Sequence, residues 1–252
     1  MYKLYVIPGS HACRAAILML GHKRVPYERV DFVTLTHPLA ARLRGFDAGG
    51  ETRVAGKQRT FGVRFGDLLG TVPALAADGQ RISTNRQIAR FLDDEHPEPP
   101  LFPRDPERRR AVEEAESWAN ETLQMAARRI ALSWAVRNPA EAARGGADGR
   151  MGYLLYRHER VRRLLIPYIG RRIFAVGRSS DEELLASLPP MLDRVDAWIE
   201  QGVLGGEQPN AADFMVAPSL ALILYRPDVM PLFEGRPALE LTDRLLPEPA
   251  HV

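Results

Sequence analysis

Cysteine, lysine and long apolar runs are scarce in this 252-residue chain, and the first and last of these shortages each remove a class of protein. Cys13 is the only cysteine, so neither an internal disulfide nor a multi-cysteine zinc site can form. The six histidines (His11, His22, His37, His96, His158 and His251) show no ligand spacing such as H-E-x-x-H, and no metal is expected. No apolar run reaches the roughly 18–20 residues that cross a bilayer. The opening Met1-Tyr2-Lys3-Leu4-Tyr5-Val6-Ile7 enters a strand-like stretch directly, so a cytoplasmic protein with no membrane partner is the expectation.

What is present describes an ordinary globular chain: 45% hydrophobic and 26% charged, with a formal net charge of +2. All but three of the 34 basic residues are arginine, a skew that codon usage in a GC-rich genome explains. The cluster Arg108-Arg109-Arg110 precedes Glu113, Glu114 and Glu116, within reach of i,i+4 pairing on a solvated helix face. A second cluster, Arg157, Arg160, Arg162, Arg163, Arg171 and Arg172, has fewer acids beside it. It leaves an anionic ligand as an alternative, although a nucleic-acid partner is not expected.

A proline-rich segment at residues 97–106 divides two kinds of sequence, giving expected domains at 1–97 and 104–252. Upstream, residues 3–7 and 27–32 alternate like strands around a helical run at 12–21. Residues 72–76, a turn at Asp78-Gly79, a short strand at 81–83 and an amphipathic helix at 85–94 follow. The order β-α-β then β-β-α predicts a small α/β domain with a mixed sheet, and residues 45–70, rich in glycine and arginine, read as a long excursion. Downstream the period is helical. An apolar stripe at Val112, Ala115, Trp118, Ala119, Leu123, Ala126, Ile130 and Trp134 predicts one helix over 106–136. Further helices fit 151–166, 181–201, 210–225 and 239–246, so the second domain is expected to be an all-α bundle.

Three strings carry chemistry. In Pro8-Gly9-Ser10-His11-Ala12-Cys13-Arg14-Ala15-Ala16 a strand turns into a helix. Ser10 is a candidate N-cap there, and the free N–H groups of a helix start favour an anion or a thiolate. In Gly70-Thr71-Val72-Pro73-Ala74-Leu75 an X-Pro bond stands at the mouth of a strand, where Val72 can offer its backbone to a peptide-like ligand. In Leu204-Gly205-Gly206-Glu207-Gln208-Pro209-Asn210-Ala211-Ala212-Asp213-Phe214, Asn210 and Asp213 have the spacing of a capping box, which serves folding.

Together, in this order, the strings resemble the cytosolic glutathione S-transferases over nearly the whole chain. The resemblance implies a thioredoxin-like N-terminal domain with a cis proline in its V-P-x-L element, followed by an all-α C-terminal domain. Ser10-His11-Ala12-Cys13-Arg14-Ala15 is similar to the theta-type S-x-P-C-R-A motif, which makes Ser10 the thiol-activating residue and places His11 beside the bound thiol. Lowering a thiol pKa from about 8.5 to 6.5 needs roughly 2.7 kcal/mol. A charge-assisted hydrogen bond supplies about 1.5–3 kcal/mol and a helix start about 0.3–2 kcal/mol, enough without a general base.

The resemblance further puts the Val72 backbone, next to Pro73, on the cysteinyl part of glutathione. It puts Thr84 and Asn85 on the γ-glutamyl end and His37 near the glycyl carboxylate. The family has an acid and then a serine where Thr84 and Asn85 stand here; Asn85 is expected to cap the helix, whereas the acid that pairs with the ligand's ammonium group is missing. Residues 45–70 also exceed the usual length, and Asp67-Leu68-Leu69-Gly70 replaces the usual Asn-Pro before Val-Pro.

Cys13 admits two readings: inward packing as a small apolar residue, or a reactive thiol at Ser10-x-x-Cys13, the spacing of a redox motif with its first sulfur replaced. His37 can equally be a surface loop residue. Trp118, Met125 and Arg129 lie on the helix that borders the family's electrophile pocket, with core packing the alternative for Trp118.

The leading expectation is therefore a glutathione transferase-like enzyme. It would conjugate or reduce a small electrophile or peroxide with glutathione or another low-molecular-weight thiol, as a detoxifying homodimer. A Cys13-dependent thiol-disulfide oxidoreductase and a non-catalytic ligand-binding protein of the same fold are the alternatives.

Overall fold

The computed structural model describes residues 1–33, 36–47, 70–145, 158–172, 176 and 180–247. The described residues form two compact units, Met1–Phe102 and Pro103–Val252.

In the first unit, strand β1 (Tyr2–Val6) buries every second side chain, the period that a sheet with one deeply covered face requires. It pairs in parallel with β2 (Tyr27–Asp31) and antiparallel with β3 (Ala74–Ala77), and β3 pairs antiparallel with β4 (Gln80–Ser83). The strand order is β2-β1-β3-β4. Parallel neighbours need a crossover, supplied here by helix α1 (His11–His22). Helix α3 (Asn85–Glu95) follows β4 and touches α1.

Tyr2, Leu4 and Val6 are buried on the face that carries these two helices, with the Tyr2 ring 5.9 Å from Phe91 of α3. On the other face Tyr5 packs with Phe32, Phe46 and Ala41 of helix α2 (His37–Leu43). The Arg44 guanidinium lies 4.9 Å above the Phe32 ring. This is the thioredoxin-like arrangement that the resemblance implies. The excursion expected over 45–70 lies outside the described residues from 48 to 69; Phe46, at its start, is a core residue at 1% exposure.

The end of the unit is tied down by charge. Lys23, its side chain fully buried, donates to Asp93 Oδ1 at 2.7 Å and to the His96 carbonyl at 2.5 Å. Asp93 Oδ1 also accepts the Leu101 N–H at 2.6 Å. One ion pair thus anchors α1, the end of α3 and the proline-rich segment.

The second unit is helical. The helix expected over 106–136 runs as α4 (Pro106–Trp118), a π-helical turn (Ala119–Leu123) and α5 (Gln124–Arg137). Asp105 caps its start, and Pro106 occupies the first position, where a missing N–H costs nothing. Helix α6 (Pro139–Gly145) follows, then α7 (Glu159–Arg172).

The helix expected to end at residue 166 instead continues through Pro167. Ile169 is buried, and Gly170 lies so close to α5 that a Cβ there would come within 2.5 Å of Val136 Cγ2. Packing outweighs the proline. Residues 151–157, the first part of that expected helix, lie outside the described residues. The single helix expected over 181–201 is two, α8 (Asp181–Ala186) and α9 (Leu188–Glu200), because Pro189 and Pro190 suit the first turn of a new helix better than the interior of an old one.

Helix α10 (Ala211–Ile223) is buried along its entire length and touches α4, α5 and α12 (Pro237–Leu245). Its capping box is present as expected. Asn210 Oδ1 accepts the N–H groups of Ala212 and Asp213, and Asp213 returns by accepting the N–H groups of Asn210 and Gly205. Burial pushes the Asp213 carboxyl up to about 6, against the downward pull of those N–H donors and of Arg244. A 3-10 turn (Pro227–Val229) and a short helix α11 (Met230–Phe233) connect α10 to α12.

Candidate functional site

Between β1 and α1 the chain turns on Pro8 and Gly9. The Ser10 N–H donates to the Ile7 carbonyl, and Gly9 sits at φ 69°, so the proline and the left-handed residue stand where a type II turn requires them. The turn delivers Ser10 as the N-cap of α1, with its Oγ accepting the Cys13 N–H at 3.3 Å. That bond occupies a lone pair of the hydroxyl and leaves its proton available for donation. His11 and Cys13 are both buried, at 3% and 2% exposure. Cys13 continues the buried row Ala12, Ala15, Ala16, Met19 and Leu20, which is inward packing.

At the start of α3 the structure corrects the sequence expectation. Thr84, not Asn85, is the N-cap, and its hydroxyl accepts the Gln87 N–H at 3.4 Å. Asn85 is the first helical residue, and its side chain is engaged elsewhere: Nδ2 donates to the Ala12 carbonyl at 2.9 Å. Its buried Oδ1 has no hydrogen-bond partner among the described residues. Thr84 also sits at φ 70°, ψ 151°. A β-branched residue there is an outlier that stores on the order of 1–3 kcal/mol, and such strain concentrates where chains bind ligands.

Register brings these pieces together. Tyr5 lies opposite Ala74, so continuing the antiparallel ladder sets Ile7 level with Val72. Ser83 also lies opposite Ala74, which places Thr84 at the same end of the sheet. Because β2 is parallel to β1, His37 follows at that end as well, as the first residue of α2. It is half-buried on a helix, in contrast to the loop position that was its alternative. The Val72–Pro73 bond is cis, and Pro73 is buried immediately before β3.

Ser10, His37, Val72, Thr84 and Asn85 therefore share one end of the sheet, and the Asn85–Ala12 bond holds the first turns of α1 and α3 side by side. Each helix start carries about half a positive charge, so the pair favours a negatively charged group. Thr84 contributes no carboxylate there. The three cap-forming residues Ser83, Thr84 and Asn85 signal a helix start in the sequence, but which of them caps is decided by a bond to a residue 73 positions away.

Of the helical candidates, Trp118 is taken up by packing within the second unit. It meets Trp198 edge to face at 5.3 Å, with the Arg194 guanidinium 5.3 and 4.7 Å from the two rings. Met125 Sδ accepts from Arg128 at 3.3 Å, and Arg129 is half-buried.

No family model matches the sequence, and no curated relative does either. Solved structures do match. A glutathione S-transferase of Ceriporiopsis subvermispora in complex with glutathione superposes with a TM-score of 0.61 at 17% identity, covering 97% of this chain and 96% of that one. FzlA from C. crescentus gives 0.57 at 18%, covering 99% and 96%. A maleylacetoacetate isomerase from Anaeromyxobacter dehalogenans with glutathione bound in its active site gives 0.52 at 19%, covering 97% and 89%. Likeness at such identities is a likeness of fold. The chain has the glutathione S-transferase fold, a thioredoxin-like unit followed by an all-α one.

Proposed function

Taking that fold as the premise, we propose that this protein is a glutathione transferase-like enzyme. It binds glutathione or a related low-molecular-weight thiol at the shared end of the sheet and passes the sulfur to an electrophile. The observation that carries the reading is the cap of α1. Ser10 Oγ accepts from the backbone, so its proton is the group it can give to a sulfur. The starts of α1 and α3 add positive potential beside it.

In the reaction the thiol loses its proton to solvent, the thiolate attacks an electrophilic carbon, and a leaving group departs from that carbon with its electron pair. Val72 lies where an extended ligand backbone would pair with the mouth of β3, and His37 lies beyond it at the same sheet end. The Asn85 Oδ1 offers a buried acceptor to the far end of the ligand.

The buried thiol of Cys13 favours Ser10 as the activating group over the disulfide-exchange alternative. The experiment is turnover of an aryl halide with glutathione as a function of pH. Ser10→Ala is expected to lower kcat about 100-fold at neutral pH, as loss of one preorganised donor does. The apparent thiol pKa should also rise by about 1 to 2, the share of the hydrogen bond, while the helix start keeps its own. Cys13→Ala should retain activity. An inactive Cys13→Ala beside an active Ser10→Ala would move the chemistry to the cysteine.

The absent acid at Thr84 predicts weak glutathione affinity. Thr84→Glu should tighten binding by roughly tenfold in calorimetric titration, the yield of one charge-assisted hydrogen bond to an ammonium group.

A further inference from the structure

Arg160, Arg163 and Arg171 are not used in the function proposed above, and the structure gives them a surface. Helix α7 is anchored by one face: Ile166 packs with Ala135 and Ala142, while Ile169 and Gly170 are buried. The opposite face is apolar too. Val161, Leu164 and Tyr168 follow one another at i, i+3 and i+7, and they are 37%, 77% and 55% exposed. Exposed Arg160, Arg163 and Arg171 flank this stripe, and beyond Glu159 the helix contains no acid. A helix anchored on its own core thus presents a second apolar stripe edged with positive charge.

We infer that this face is a peripheral contact surface for anionic phospholipid. Three observations select that occupant. A second copy of the chain would bring arginine against arginine across a twofold axis. A stable protein pair takes about 800 Å² from each side, more than three side chains on two turns of helix provide. A nucleic-acid backbone satisfies the arginines but leaves the apolar stripe wet.

A lipid surface uses both. Leu164, Tyr168 and Val161 enter the boundary between headgroups and acyl chains, while the guanidinium groups stay among the phosphates. No helix among the described residues is long and apolar enough to cross a membrane, so the contact is adsorption. It adds a membrane partner to a chain whose sequence suggested none.

Flotation of the full chain with vesicles tests the assignment. Vesicles of equal parts phosphatidylcholine and phosphatidylglycerol should carry the protein, pure phosphatidylcholine vesicles should not, and added salt should weaken the binding. Each arginine contributes about a fivefold gain near such a surface, so Arg160→Gln combined with Arg163→Gln and Arg171→Gln should weaken partitioning by roughly 100-fold. Leu164→Ser with Tyr168→Ser should weaken it as well. Unchanged circular dichroism and thiol turnover would show that these variants remain folded.

Equal binding to neutral and anionic vesicles, binding to neither, or a triple-glutamine variant that floats like the wild type would each overturn the inference. So would duplex DNA that displaces the vesicles and binds the Leu164/Tyr168 variant undiminished.

Discussion

Two polar clusters, one in each unit, are completed to different degrees. In the helical unit, Arg226, at 1% exposure, makes two bonds to Asp181 at 2.6 and 2.8 Å, two to Asp228 at 2.7 and 2.8 Å, and one to Ser133 at 3.1 Å. Asp196 accepts from Arg236 and from the Ala238 N–H, and Asp213 closes a capping box. In the sheet unit, a strained Thr84 and the Asn85 Oδ1, which has no hydrogen-bond partner among the described residues, stand together at the end of the sheet where Ser10 caps α1. Satisfied networks fix a fold; a half-satisfied one is a place that a ligand can complete. On the function proposed above, the contrast is that the Thr84–Asn85 cluster serves recognition and the Arg226 cluster serves support.

The harshest way to break it is Arg226→Ala. Removing the guanidinium takes away the ion pair of Asp228 and leaves Asp181 with Arg137 alone, and unfolding in urea should show a loss of about 3 kcal/mol. Thiol affinity measured well below the melting transition should be unchanged.

Acid offers a subtler test. Arg226 above all, with Arg137 and Ser133, holds the Asp181 carboxyl well below the usual carboxylate range. Its contribution is therefore fully present above the unfolded pKa, near 4, and is lost as pH falls below that value. Asp213 runs the other way. Its carboxyl is raised from 3.8 to about 6, so the folded chain loses stability as pH climbs between those values and changes no further above them. A stability profile of Asp213→Asn should lack that middle decline and keep the acid loss.

The smallest effect sharpens the contrast most. Thr84→Gly relieves the left-handed strain and should raise stability by about 1 kcal/mol. If the strained threonine serves the ligand, thiol affinity should fall in the same variant. A glycine variant that is both more stable and unimpaired in binding would make Thr84 an incidental outlier.

These differences also mark what sequence could convey. Alternation and helical period are local, and they revealed the four strands, α1, α3 and the long helices of the second unit but not the short helices α2 and α6, while cap-forming residue types marked Ser10 and the Asn210–Asp213 box. The bonds from Asn85 to Ala12 and from Arg226 to Ser133 span 73 and 93 positions. No local pattern announces such bonds, so Asn85 read as a cap and Arg226 as one arginine among many. The break between α8 and α9 was hidden for a different reason: an apolar stripe that resumes in phase after two prolines looks continuous.

Helix α10 has a consequence for how the molecule breathes. All 13 of its residues are buried. Backbone protons there can swap with deuterium only after the neighbouring helices part, so their exchange rate reads out the free energy of global opening, whereas the first turn of α1 should exchange sooner.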